Sequence, residues 1–219
     1  MLKEQEKITK LVKLSLFAAI IVVLSMTPLG YIPLGVIKAT TIHIPVILGS
    51  IMLGWKYGAV LGGLFGLTSL VVNTVTPNLT SFVFTPFYSV GELHGSFLSL
   101  PVCFVPRILT GIVPYFVFKL VNKLFKSEGA ALTAAGFLGS MTNTIFVMHF
   151  IYIFFGNQWA SAKGIAEDVV YTTILAVIAT NGIPEAVAAA VLTAVAGAAL
   201  FKITRGKGTH KNKPRKEDF

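Results

Sequence analysis

Three ionisable side chains stand inside long apolar stretches of this sequence: Arg107, His149 and Glu185. A charge at membrane depth is costly, so each marks a candidate for solute binding or proton movement. Arg107 presents a planar fork of donors matched to carboxylate or phosphate. It therefore points either to an anionic solute or to a structural pairing with Glu185 or helix-end carbonyls. Glu185 falls near the start of the last predicted helix, where the macrodipole favours a carboxylate; a helix cap and a ligand group both fit. His149, in mid-helix, reads as a ligand or proton-relay group or as a histidine satisfied within the bundle. Asn143 lies between Thr142 and Thr144 in an apolar run, and a buried amide needs a partner, either a neighbouring helix or a solute. Thr40, Thr41 and His43, ahead of Pro45, form a polar patch suited to lining a cavity.

Other chemistries are excluded by what is missing. The four histidines have no metal-ligand spacing, and the single cysteine, Cys103, permits neither a disulfide framework nor a cysteine metal site. No metal and no cofactor are expected. Gly95-Ser96 lacks the flanks of a hydrolase nucleophile, and neither H-E-x-x-H nor G-x-x-x-x-G-K-[ST] occurs. Enzymatic chemistry is not expected, and any ATP-driven role requires partners that bind the nucleotide.

The elements that must position these residues are membrane helices. Of 219 residues, 54% are hydrophobic and the mean hydropathy is +0.78, above the 45–50% apolar content of ordinary soluble domains. A span takes about 20 residues, so the pattern predicts an all-α protein of six transmembrane helices, residues 10–203. A short N-terminal segment, 1–9, and a basic tail, 204–219, flank them. Helix 1 is expected over Lys10–Thr27 and is read as a retained helix, since no small-x-small cleavage site follows it. Helix 2 is expected over Ile37–Leu53, with Trp55, Lys56 and Tyr57 as an interface anchor. Helix 3 starts near Gly58 and ends near Asn73, helix 4 covers Pro101–Val121 and helix 5 Ala130–Phe155. Helix 6 covers Ile183–Ile203, after a break at Asn181-Gly182 that places Asn181 as its cap. A long ordered loop rich in aromatics joins helices 3 and 4. Val169–Ala179, too short to span, is expected as a partly embedded segment.

The formal charge of +9 suggests nucleic acid until its distribution is considered. With a cytoplasmic N-terminus and six crossings, fifteen of the 18 Lys and Arg residues fall on the inside, leaving Lys38, Arg107 and Lys163. The positive-inside rule therefore places both termini in the cytoplasm of a multi-pass cell-membrane protein. Nucleic acid is not expected as a partner, and the basic tail suits either a topology signal or anionic lipid. Small residues recur at four-residue spacing: Ser15 and Ala19; Gly58, Gly62 and Gly66; Ala190, Ala194 and Ala198. Such faces serve packing within the bundle or docking of another membrane protein. The halves show no internal repeat, against a secondary transporter of paired repeats. That class, with His149 or Glu185 as proton carrier, and a scaffold without a solute are the competing readings.

The run Ile32-Pro-Leu-Gly-Val-Ile-Lys-Ala-Thr-Thr-Ile-His-Ile-Pro-Val-Ile-Leu-Gly-Ser, the stretch Thr80-Ser-Phe-Val-Phe-Thr-Pro-Phe-Tyr and Asn181-Gly-Ile-Pro-Glu resemble substrate-binding S-components of energy-coupling factor (ECF) transporters. The likeness extends from Lys10 to about Lys202. It implies a six-helix protein that binds one vitamin at the outer side and works with a transmembrane coupling protein and two ABC ATPases. It implies docking through a small-x-x-x-small motif on helix 1, here Ser15 and Ala19, with serine in place of the usual alanine. It also implies a ligand between the loop after helix 1, the loop carrying Phe84, and the outer halves of helices 4 to 6. Arg107, Asn143, Asn181 and Glu185 fall in or near that region. The branch assigned to pantothenate is the most similar; folate, pyridoxine, hydroxymethylpyrimidine and cobalamin fit the same scaffold.

Overall fold

The apolar stretches fold as a bundle of helices, and the computed structural model describes residues 2–34 and 37–209. Helix α1 covers Leu2–Met26, so most of the expected N-terminal segment forms its first turns. It ends in a single turn, Pro28–Gly30, because proline and glycine stop the helical ladder. Next comes an antiparallel hairpin of β1, Tyr31–Leu34, and β2, Ile37–Thr40, with Tyr31 opposite Thr40. This corrects the expectation of a helix from Ile37: α2 covers only His43–Leu53. Pro33 and Pro45 bracket the segment, and its backbone bonds are met across the hairpin instead of within a helix.

Gly54 separates α2 from α3 with φ of 105°, a conformation that glycine adopts without a steric penalty. Helix α3 covers Trp55–Val75, so the expected interface anchor is its first turn. The loop after α3 is ordered, as expected. Ser81 Oγ donates to Asn73 Oδ1 at 2.8 Å, the Asn78 N–H donates to Ser81 Oγ at 2.9 Å, and Ser99 Oγ donates to the Phe82 carbonyl at 2.8 Å. Phe82 is fully buried and meets Phe155 edge-on, with ring centroids 6.0 Å apart. A two-residue hairpin, β3 Ser89–Val90 and β4 Leu93–His94, completes the loop.

Helix α4 covers Ser99–Phe125 and α5 Glu128–Lys163, with a kink at Phe155. Helix α6, Val170–Val177, does not end at a break. It continues through a π-helical turn, Ile178–Gly182, directly into α7, Ile183–Thr209. The expected partly embedded segment is thus the opening of the last helix, and Asn181 lies inside a turn instead of capping one. Val170 and Ile174 of α6 and Gly182, Ala186 and Ala190 beyond it are buried, with half-buried Ile178 between them completing a line at four-residue steps. A 3.6-residue helix drifts off such a line, and the wider π turn absorbs the drift.

Among the described residues, five helices are long and apolar enough to cross a membrane, and α2 is a shorter apolar one. One apolar core joins Phe82, Val102, Val147, Ile151, Phe155 and Ile174, and a second joins Phe17, Ile21, Val46, Leu61 and Phe65. The glycines of α3 press on α4: an added Cβ at Gly58 would strike the Gly111 carbonyl, at Gly62 the Arg107 carbonyl and at Gly66 Phe104, 2.8 Å away. The candidate docking face containing Gly58 and Gly62 is therefore occupied within the chain. Ser15 and Ala19, in contrast, are exposed along α1.

Candidate functional site

The glycine seam determines where Arg107 can go. Close backbone approach puts its helix against α3, and helical side chains tilt toward the N-terminus of their helix, which carries the guanidinium up to the level of Ser69. Pro106 shapes the local geometry. It has no N–H, so the Val102 carbonyl loses its usual helical donor, and Arg107 Nη1 donates to that carbonyl at 2.9 Å. Arg107 Nη2 donates to Ser69 Oγ at 3.4 Å. The guanidinium carbon lies 5.1 Å from the Phe84 ring centroid and 5.6 Å from that of Phe65, so aromatic faces hold the cation in place. Arg107 is 7% exposed, eight residues into α4 and thus about 12 Å from its start.

That exposed edge opens on a cavity of about 520 Å³, within the range of small-molecule sites. The cavity lies where α3 ends and α4 and α7 begin. Arg107, Asn143, Asn181, Glu185 and Phe84, all singled out from the sequence, line it together. Asn143 Oδ1 is buried, with no hydrogen-bond partner among the described residues, leaving an acceptor available for a solute donor. Asn181 reaches the cavity because the π turn carries it there, and its Oδ1 accepts from Thr180 Oγ1 at 3.4 Å. Gly182 adjoins Thr144, whose Cγ2 would lie 2.8 Å from an added Cβ. A larger residue there would narrow the floor.

Glu185 Oε1 accepts the Thr40 N–H at 3.0 Å, tying β2 to α7. His43 does not line the cavity; it lies behind Glu185, 1% exposed, with Nδ1 3.9 Å from the same carboxylate oxygen. Thr41 is also off the wall. Its hydroxyl donates to the Leu29 carbonyl at 2.7 Å and its N–H to the Gly30 carbonyl at 3.0 Å, fastening the base of the hairpin. His149 lies elsewhere, with Nδ1 2.8 Å from the Ile145 carbonyl and its ring edge-on to Tyr171. Sequence reasoning missed Ser69, Asn73, Thr76, Asn78 and Thr144 as lining residues. The polar run Asn73-Thr74-Val75-Thr76-Pro77-Asn78, at the end of an apolar helix, was the available signal.

The cavity thus joins one buried cation, one carboxylate and a ring of amides and hydroxyls to apolar walls from Val72, Val147, Met148 and Val177. Such a set suits a small polar solute carrying both an anionic group and hydrogen-bonding groups.

The chain belongs to the family of ECF transporter substrate-specific components, whose model matches residues 9–197. It is a multi-pass membrane protein of a transporter family. It is 43% identical, over 169 residues, to the pantothenic acid transporter PanT of Lactococcus lactis subsp. cremoris, covering 76% of this chain and 79% of that one. It is 31% identical, over 205 residues, to the pantothenate transporter PanT of Leuconostoc mesenteroides subsp. mesenteroides, covering 90% and 95%.

Proposed function

We propose that this chain is the substrate-capture subunit of an ECF-type importer and that it binds pantothenate in the cavity beside Arg107. The observation that carries this reading is the buried guanidinium opening on a solute-sized cavity lined with amides and hydroxyls. Pantothenate has a carboxylate, an amide and two hydroxyls; Arg107 would take the carboxylate, and Asn143 and Asn181 the amide and hydroxyls. The names of the two relatives support the same solute.

The reading places the cavity at the outer face of the cell membrane and both termini in the cytoplasm. The first half of α1 and the end of α7 share one end of the bundle, opposite the cavity, with Lys10, Lys13, Lys56, Lys119, Lys123, Lys126 and Lys202. The positive-inside rule makes that end cytoplasmic. Six crossings follow if α2, about 16 Å long, completes its crossing together with the hairpin ahead of it. Residues 10–203 then form the substrate-binding domain, with the N-terminal segment and basic tail inside.

In this reading delivery is driven by the coupling protein and two ABC ATPases that the family resemblance implies, in keeping with a sequence that has no P-loop of its own. The exposed Ser15 and Ala19 on α1 are the proposed docking contact, because small residues let helices approach closely. Vesicle uptake of labelled pantothenate tests the scheme. The chain alone should bind without accumulating, and accumulation should require the module and ATP. Ala19→Trp should leave pantothenate affinity unchanged and abolish uptake with the module present. Uptake by the chain alone, or loss of binding with assembly intact in Ala19→Trp, would contradict the assignment.

A further inference from the structure

At the end of the bundle opposite the cavity, two adjoining compartments run along α1. One, of about 590 Å³, is lined by Gln5, Glu6, Thr9, Lys10, Lys13, Met52 and Leu53. The other, of about 440 Å³, shares Thr9, Lys13 and Met52 and continues between Leu16 and Phe17 of α1 and Leu200 and Ile203 of α7. The gap exists because α1 packs on α2 and α3 whereas α7 packs on α5, leaving α2 as the floor between them. Its apolar walls are open: Leu16 is 61% exposed and Ile203 60%.

The order of the compartments matters. The polar one lies toward the start of α1, and the apolar one lies one to two turns further into the span. An occupant must therefore carry a polar head at the bundle's end and a hydrocarbon chain directed inward. Two lysines face one glutamate in the polar compartment, so the favoured head is an anion. Apolar grooves rimmed by polar groups mark lipid or protein contacts, and this combination of charge and depth matches a lipid.

We propose that the groove between α1 and α7 holds a single anionic phospholipid, with Lys10 and Lys13 at its phosphate and one acyl chain between Leu16 and Ile203. The lipid fills the space between two helices that meet only sparsely within the chain. The inference does not depend on which solute occupies the opposite cavity.

Native mass spectrometry of the full chain in mild detergent tests it, with phosphatidylglycerol and phosphatidylcholine of identical acyl chains as probes. The wild type should retain one phosphatidylglycerol, with about tenfold preference over phosphatidylcholine, as expected for basic residues near an anionic headgroup. Lys10→Gln combined with Lys13→Gln should bring the preference close to parity. Ile203→Trp, which fills the chain compartment, should remove retention of both lipids. Unfolding temperatures in lipid-free detergent should match the wild type, showing that both variants fold. Equal retention of the two lipids by the wild type, or phosphatidylglycerol retention surviving both variants, overturns the proposal. If the wild type retains neither lipid and the coupling protein shields Lys10 and Lys13 from acetylation, the groove is a protein dock and the proposal fails.

Discussion

Arg107→Ala should weaken pantothenate binding by about 10- to 100-fold, the equivalent of the 1.5–3 kcal/mol that hydrogen bonds to charged groups contribute. The side chain is fixed before any ligand arrives. Val102 and Ser69 accept from its Nη atoms, and Phe65 and Phe84 flank its plane. Little side-chain entropy is then lost on binding. Arg107→Lys should recover only part of the affinity, because an ammonium is a point charge and cannot reproduce a planar fork. The same contacts allow a structural role, and titration alongside thermal unfolding of the empty protein separates the two. Loss of affinity with an unchanged unfolding temperature supports recognition. An unfolding temperature that drops while the affinity of the folded fraction persists supports a structural pairing.

Gly62→Val should destabilise the empty protein by about 3 kcal/mol, the upper end of typical overpacking penalties, and should also reduce binding. The new side chain would meet the Arg107 carbonyl and, at 2.8 Å, the Ile108 Cα. Both are backbone atoms that no rotamer change can move aside. Pushing α4 outward there also moves the guanidinium away from Ser69. Gly63→Val on the same helix, where an added Cβ meets nothing within 4 Å, is the matched control and should be close to neutral. Thermal unfolding in detergent checks both variants; equal effects at the two sites would mean that the seam does not hold α3 to α4.

Much of this was legible in the sequence because the signals were local. Apolar runs bounded by glycine and proline gave the long helices, and a polar residue within such a run marked Arg107, Asn143 and Glu185. The misplacements came from tertiary context. Ile37–Thr40 follows an apolar run that could begin a helix, but its strand partners Tyr31–Leu34 take its backbone groups. Asn181-Gly182 reads as a break, yet a π turn accommodates it, because the buried residues on either side keep one face against the bundle. Thr41 and His43 are polar and adjacent to the cavity wall but point into the hairpin base and behind Glu185. The Gly58, Gly62 and Gly66 face gave the spacing of close contact without naming its partner, which is α4 of the same chain. Asn73, Thr76 and Asn78 were overlooked because they lie in the last turn of α3 or just beyond it, where polar residues are ordinary.

The most direct measurement is calorimetric titration of the purified wild-type chain with pantothenate and with its alcohol analogue, in which a hydroxyl replaces the carboxylate. The two ligands share the amide and both hydroxyls, so their difference isolates the anionic group that Arg107 is assigned to hold. The expected result is saturable binding of pantothenate at one site per chain and affinity for the alcohol lower by about 10-fold or more, in line with a charge-assisted pair. Equal affinity for both compounds, or no pantothenate binding by the folded chain, would contradict it.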